Sequence, residues 1–167
     1  MAIKLLRPKQ YILIRSKQDN GFAFLKERHM GFESIFDASY KRILSDSKHD
    51  IDFFEAFYHR FLGIDENIAL RFASTDMTTQ QGMLKKSFYS LFTFYASGQA
   101  DDAIRDIAER HNCKNLDIKP EFYDLWLECL IQTIKQYDDQ FSDDVELAWR
   151  LVMTPGIVYM KFKYDKG

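Results

Sequence analysis

His111 is the residue with the clearest potential for chemistry, because it ends an apolar stripe at helical spacing. Ile104, Ile107 and Ala108 precede it at intervals that place all four residues on one face of a short predicted helix. A histidine in that position is expected to point into the protein interior. It can be a hydrogen-bonded core residue, a helix C-terminal group that interacts with the helix dipole, or a neutral imidazole that ligates iron. The spacing alone leaves these three interpretations open.

Two further polar residues lie on apolar faces of predicted helices. Gln80 is followed at intervals of three and four residues by Leu84, Phe88 and Leu91, so the four share one helix face. Gln80 is then either a solvated residue at the edge of that face or a hydrogen-bond donor inside a pocket. Tyr58 lies in a second stripe, where its hydroxyl either reaches the surface or needs a buried partner.

The composition is that of a single folded domain. Apolar residues make up 46% of the 167 residues and aromatic residues 16%, with 15 Phe and 9 Tyr. So many aromatic rings indicate either a phenylalanine-rich core or a pocket with flat walls.

Charge and cysteine usage exclude several functional classes. The net charge is −2 with both signs mixed along the chain, which argues against nucleic-acid binding. No apolar run is long enough for a membrane span, and the N-terminus lacks the features of a signal peptide. Cys113 and Cys129 have no metal or redox spacing and are expected to be free thiols. We therefore expect a cytoplasmic protein without a nucleic-acid or membrane partner.

The apolar spacing predicts an all-α protein. Residues 1–31 fit the helical pattern least and are expected to form an N-terminal extension, whereas residues 32–167 form the main domain. Gly63 is expected to end one helix, Pro120 to open another, and Pro155-Gly156 to kink or break the last. The helix that starts near residue 76 can be capped by Ser74, Thr75 or Asp76. The predicted helices cover roughly residues 33–45, 51–63, 76–97, a short segment ending near 111, and segments starting at 120 and 142.

Several motifs in this order resemble the globin family. The likeness is to single-domain bacterial haemoglobins and to the globin domains of flavohaemoglobins, and it covers roughly residues 33–164. It implies an all-α globin fold, a three-on-three helical sandwich. The motifs are Phe57-Tyr58, Phe72, Asp76-x-x-x-Gln80-x-x-x-Leu84, Ile107 to His111, Ile118-x-Pro120-x-x-Tyr123, Ala148-Trp149 and the apolar Met160.

The resemblance implies haem b as the cofactor and reversible binding of O₂ as the function. His111 would be the proximal iron ligand, and Phe72 would stack on the haem. Tyr58, Gln80 and Leu84 would line the distal side, where donors to the partly negative oxygen contribute about 1–3 kcal/mol each. No catalytic residue is predicted. The remaining predicted haem contacts are Phe88, Ile107, Ile118 and Tyr123.

The sequence departs from the flavohaemoglobin pattern on the proximal side. Tyr123 corresponds to a tyrosine that acts there with a glutamate, but the segment from Met160 to Tyr164 contains no acid. No reductase domain is expected within the chain. An NO dioxygenase or peroxidase activity would therefore need a separate reductase. The residues that would meet the haem propionates are left open among Arg71, Lys85, Arg110, Lys114 and Lys119.

Four functions remain open at this point. The first is oxygen binding for storage, transport or scavenging, and the second is haem-dependent redox chemistry with a separate reductase. The third is sensing of O₂, NO or CO through a partner. The fourth is an interaction module without haem. A monomer and a homodimer are equally compatible with the sequence, and the extension is either a docking surface or additional packing.

Overall fold

The computed structural model describes residues 31–166, and within them the chain is helical without β-strands. The predicted extension, apart from Gly31, lies outside the described residues. The all-α prediction is confirmed. The helices are α1 (Phe32–Leu44), α2 (Phe53–Ile64), α3 (Glu66–Arg71), α4 (Met77–Ser97), α5 (Asp102–His111), α6 (Phe122–Tyr137) and α7 (Asp143–Lys163).

Side-chain caps explain most of the helix starts. Asp52 accepts hydrogen bonds from the backbone N–H groups of Phe54 (2.7 Å) and Glu55 (3.1 Å) at the start of α2. Asp76 is the cap of α4 among the three candidates that precede it. The other capped starts follow Asp65, Asp101 and Ser142. Each cap contributes about 1 kcal/mol and satisfies a donor that the helix leaves unpaired.

Two predicted boundaries are shifted. Pro120 does not open α6, because residues 120 and 121 form a turn and the helix begins at Phe122. Gly63 does not end α2, which continues to Ile64 and stops where Asp65 adopts an extended backbone to cap α3. The helix α2 therefore ends where Asp65 must leave the helical conformation in order to cap α3.

A break at Pro155-Gly156 does not occur, since α7 continues through both residues to Lys163. Gly156 is buried against α4, where an added Cβ atom would lie 2.0 Å from Leu91 Cδ2. The glycine thus allows α7 and α4 to pack closely, and this packing stabilises the helix despite the proline.

Aromatic rings fill the core between α1, α4 and α7. Trp149, Phe57 and Phe88 are almost completely buried. The Trp149 ring lies 4.4 Å from Phe36 and 5.6 Å from Phe88, measured between centroids. The aromatic richness of the sequence is therefore explained in part by this core.

A buried polar cluster joins α1 to the C-terminal end of α6 and to α7. Asp138 accepts hydrogen bonds from Arg42 Nε (2.6 Å) and Nη2 (2.7 Å) and from Ser39 Oγ (2.6 Å). Ser39 Oγ in turn accepts from the Trp149 indole N–H at 2.9 Å. These four residues are called the Asp138 network below.

Candidate functional site

Tyr58 and Gln80 meet between α2 and α4. The Gln80 amide Nε2 donates a hydrogen bond of 3.0 Å to the Tyr58 hydroxyl, and Tyr58 is only 4% exposed. Burial raises the pKa of Tyr58 to about 12, although the Gln80 bond acts in the opposite direction. The phenol is therefore protonated at neutral pH. Since its oxygen accepts from Gln80, its own O–H is available to donate, and no acceptor for it lies within residues 31–166.

Apolar side chains surround this pair. Leu84 and Phe88 follow Gln80 along α4 and are buried. The Phe72 ring lies 5.8 Å from Tyr58 and 6.4 Å from Phe61, measured between centroids. The tyrosine hydroxyl and the glutamine amide therefore lie against an apolar wall, where a hydrogen bond is stronger than it is in water.

His111 and Tyr123 form a second polar pair where α5 ends and α6 begins. His111 Nδ1 lies 3.2 Å from the Tyr123 hydroxyl. Burial, with a smaller contribution from the Arg110 charge, lowers the pKa of His111 to about 4, so the imidazole is neutral. Burial also raises the pKa of Tyr123, which keeps the phenol protonated. The other ring nitrogen, Nε2, has no hydrogen bond to the described part of the chain.

Arg71 and Phe72, at the end of α3, contact residues in or next to the two pairs. Phe72 packs against Tyr58, as described above. Arg71 Nη1 donates a hydrogen bond of 2.7 Å to the Leu116 carbonyl, and its guanidinium lies 5.7 Å from the Phe122 ring centroid. Arg71 therefore contacts the residue that precedes Tyr123 in sequence, and Phe72 contacts Tyr58.

The two remaining predicted site residues lie on either side of His111. Ile107 is half-buried one turn earlier on α5. Ile118 is also half-buried, and its backbone N–H donates to the His111 carbonyl at 3.1 Å. Both pack against the core.

The candidate propionate partners have different surroundings. Arg71 and Lys119 both pair with Asp117, at 3.5 and 3.0 Å. Lys85 lies on α4, and its Nζ is 6.0 Å from the ring centroid of Phe54 on α2. Arg110 and Lys114 flank the end of α5 on the exposed side.

Sequence reasoning missed the corner between α5 and α6. Asn112 is buried, and its Oδ1 accepts from the backbone N–H groups of Lys114 and Asn115, each at 3.0 Å. Asn112 and Asn115 flank a turn, a composition that the sequence could have revealed. The role of Asp117 has no local sequence signal, because two of its partners, Arg71 and Tyr164, lie far away along the chain.

No group of three or more metal-ligating side chains occurs among the described residues. None of the helices in residues 31–166 has the length and hydropathy to cross a membrane. Cys113 and Cys129 are both free, as expected.

Comparisons with known proteins agree on one family. The globin family model matches residues 55–159 of this chain. The chain is also similar to a Pseudomonas aeruginosa PAO1 protein whose crystal structure is described as structurally highly homologous to a human haemoglobin. The identity is 32%, the match covers 81% of this chain and 99% of that chain, and the TM-score is 0.74. No curated protein matches. The helical architecture and both matches show that this chain belongs to the globin family.

Proposed function

We propose that this globin binds haem through His111 and reversibly binds a diatomic gas, in the first place O₂, beside Tyr58 and Gln80. The observation that carries the proposal is the state of His111. Its imidazole is half-buried and neutral, Nδ1 lies within hydrogen-bond distance of the Tyr123 hydroxyl, and Nε2 has no partner in the described chain. A neutral imidazole with one oriented nitrogen and one available nitrogen is a suitable iron ligand.

The residues present fit a haem group. Membership of the globin family implies haem binding. A single imidazole is a sufficient protein ligand for the iron of a porphyrin, because the porphyrin nitrogens supply the other ligands. The rings and aliphatic chains of Phe72, Leu84 and Phe88 offer apolar contact to a flat macrocycle. When bound, the haem would supply ferrous iron with a position open to a gas.

Tyr58 and Gln80 are the residues that would distinguish one gas from another. The protonated Tyr58 hydroxyl has a hydrogen to donate, and Gln80 fixes its oxygen at 3.0 Å. Dioxygen is a better hydrogen-bond acceptor than CO at such a site. We therefore propose that Tyr58 slows the release of O₂ more than the release of CO.

Haem titration of the apoprotein tests the first part of the proposal. We expect the wild type to bind one haem per chain with a sharp Soret band that shifts on addition of CO. His111→Ala should weaken haem binding at least tenfold or change the spectrum, because the imidazole that would ligate the iron is lost. His59→Ala is the matched control, since the His59 side chain is 67% exposed. Haem binding that is unaffected by His111→Ala would contradict the proposal.

Ligand release measured by stopped flow tests the second part. Tyr58→Phe is expected to accelerate O₂ dissociation by about tenfold, which corresponds to a hydrogen bond of about 1.4 kcal/mol. CO dissociation should change much less. Tyr89→Phe serves as the control, because Tyr89 is 76% exposed. Equal acceleration for both gases would show that Tyr58 does not act through a hydrogen bond.

The contact of Tyr123 with His111 favours a second function, redox chemistry that uses a separate reductase. A hydrogen bond that the Nδ1–H of a histidine ligand donates increases the electron density of that ligand. Within residues 31–166, however, no carboxylate joins Tyr123, and Met160 is buried on α7. Oxygen binding therefore remains the leading proposal. Slow oxidation of the oxygenated protein by NO would support it, and fast oxidation with reductase-driven turnover would favour the second function.

A further inference from the structure

The corner between α5 and α6 holds the last turn of α5 through its backbone. The N–H groups of Leu116, Ile118 and Asp117 donate to the carbonyls of Arg110 (2.9 Å), His111 (3.1 Å) and Asn112 (2.9 Å), respectively. These carbonyls belong to the end of the helix, where no intrahelical donor is available. The position of the corner therefore determines the position of the turn that carries His111.

Asp117 gives this corner its shape. Its φ angle is +50°, in the left-handed region that side chains other than glycine adopt at a cost. Aspartate is among the residues that tolerate this region best. A backbone conformation of this kind persists when surrounding contacts hold it in place.

Tyr164, at the end of α7, contacts both sides of the corner. Its carbonyl accepts from the backbone N–H of Cys113 at 2.9 Å, and its hydroxyl donates to Asp117 Oδ1 at 2.5 Å. Lys119 Nζ donates to both the Tyr164 hydroxyl (2.8 Å) and Asp117 Oδ1 (3.0 Å). Arg71 approaches the other Asp117 oxygen at 3.5 Å. The corner is thus held from α3 and α7.

We propose that Asp117 and Tyr164 are positioning residues for His111: together they clamp the corner of residues 112–119, whose backbone hydrogen bonds hold the last turn of α5. This proposal rests on the proposed function, in which His111 ligates iron. Neither residue contacts His111 through its side chain in the described structure. Their effect on a bound haem would be transmitted through the backbone of the corner.

The clamp is tested first in the apoprotein by amide hydrogen exchange. Tyr164→Phe removes the hydroxyl but keeps the ring over which Lys119 lies. We expect exchange at Leu116, Asp117 and Ile118 to accelerate about tenfold, as is typical for loss of a hydrogen bond to a charged group. Tyr159→Phe is the matched control, because Tyr159 lies on the same helix and its hydroxyl has no hydrogen bond within residues 31–166. Unchanged exchange in Tyr164→Phe would overturn the clamp.

A second variant tests the clamp in case Tyr164→Phe does not fold. Asp117→Gly adopts a φ angle of +50° without strain but has no carboxylate, so it should fold and still show faster exchange. If Asp117→Gly exchanged as slowly as the wild type, the backbone alone would hold the corner and the proposal would be wrong.

The link to His111 is tested in the haem-loaded protein. For Tyr164→Phe and Asp117→Gly we expect haem release to accelerate about tenfold and the iron–histidine stretching frequency of the ferrous protein to shift or broaden. Faster exchange without either change would show that the clamp does not position His111. If the wild type bound no haem, the proposed function itself would fail and the positioning role with it, whereas the exchange data would still decide whether the clamp exists.

Discussion

Two buried polar clusters in this globin differ in how completely their hydrogen-bonding groups are used. In the Asp138 network both carboxylate oxygens, the Ser39 hydroxyl and the Trp149 indole have protein partners. At the candidate site, the Tyr58 hydroxyl accepts one bond, and neither its own hydrogen nor His111 Nε2 has a partner in residues 31–166.

This difference indicates a structural role for the Asp138 network and a ligand-binding role for the candidate site. Fully buried polar groups are nearly always satisfied, as in the Asp138 network, whereas the half-buried His111 Nε2 and the Tyr58 hydroxyl hydrogen keep a bonding capacity that a ligand can use. In the Asp138 network the hydrogen-bonding groups are satisfied by other protein groups, and this network is expected to stabilise the fold. At Tyr58 and His111 the spare groups suit a ligand, and at neutral pH the stability of the apoprotein is expected to depend on them little. The predictions below test this contrast, from the largest expected effect to the smallest.

Asp138→Ala should have the largest effect on stability. Arg42 and Ser39 would lose their acceptor at a buried position, and we expect the free energy of unfolding to fall by about 3–5 kcal/mol. Denaturant titration of the apoprotein measures this change. Asp139→Ala is the control, since Asp139 pairs with Lys48 at the surface, and its effect should stay within about 0.5 kcal/mol. A small effect of Asp138→Ala would remove the contrast between the two clusters.

The neutral His111 should make apoprotein stability depend on pH. The pKa of His111 is about 4 in the folded chain and about 6.5 in an unfolded one. The unfolded chain therefore takes up the proton first, and stability falls as the pH drops from about 6.5 to about 4. The loss approaches about 3 kcal/mol and is complete below the folded pKa.

His111→Gln isolates this contribution, because glutamine does not titrate. Denaturant titrations between pH 7 and pH 4 should show a steeper loss for the wild type than for His111→Gln. Parallel pH profiles for the two proteins would mean that His111 is solvated, which would argue against a buried ligand.

Ser39→Ala should have an intermediate effect. It leaves the buried indole N–H of Trp149 without an acceptor and removes one donor from Asp138, so we expect a loss of about 1–3 kcal/mol. Thermal unfolding of the apoprotein measures it. Haem binding per folded molecule should be unchanged, and a weakened haem affinity would show that the network also shapes the site.

Tyr58→Phe should have the smallest effect on stability, within about 1 kcal/mol in the apoprotein. The substitution keeps the ring, and the Gln80 side chain that loses its acceptor is only half-buried. The same variant is expected to accelerate O₂ release about tenfold, as described above. A large loss of apoprotein stability would assign Tyr58 a structural role instead.

Local patterns in the sequence were sufficient to predict much of the fold. The helix faces that contain Tyr58, Gln80 and His111 follow from apolar periodicity, and Asp76 was a recognisable cap. The continuous course of α7 was not predictable, because it depends on the contact of Gly156 with Leu91 on another helix. The packing of distant segments outweighs the tendency of Pro155 to break a helix.

The polar partners were less predictable than the helices. Tyr58 with Gln80 and His111 with Tyr123 could be placed together only through the resemblance to a family. The roles of Asp117 and Ser39 could not be seen at all, since Asp117 contacts Tyr164 and Ser39 contacts Asp138 across long separations in sequence. No local pattern records such pairings.

Chemical rescue of His111→Gly tests the central claim most directly. The substitution removes the imidazole, and free imidazole added to the haem-loaded variant can replace it at the same place. We expect the variant alone to have an altered Soret band and weakened haem retention, and imidazole to restore a wild-type spectrum that shifts with CO. Restoration in His111→Gly, without any effect of imidazole on the wild type, would establish His111 as the iron ligand. If His111→Gly retained the wild-type spectrum without imidazole, another residue would hold the iron and the proposed site would be wrong.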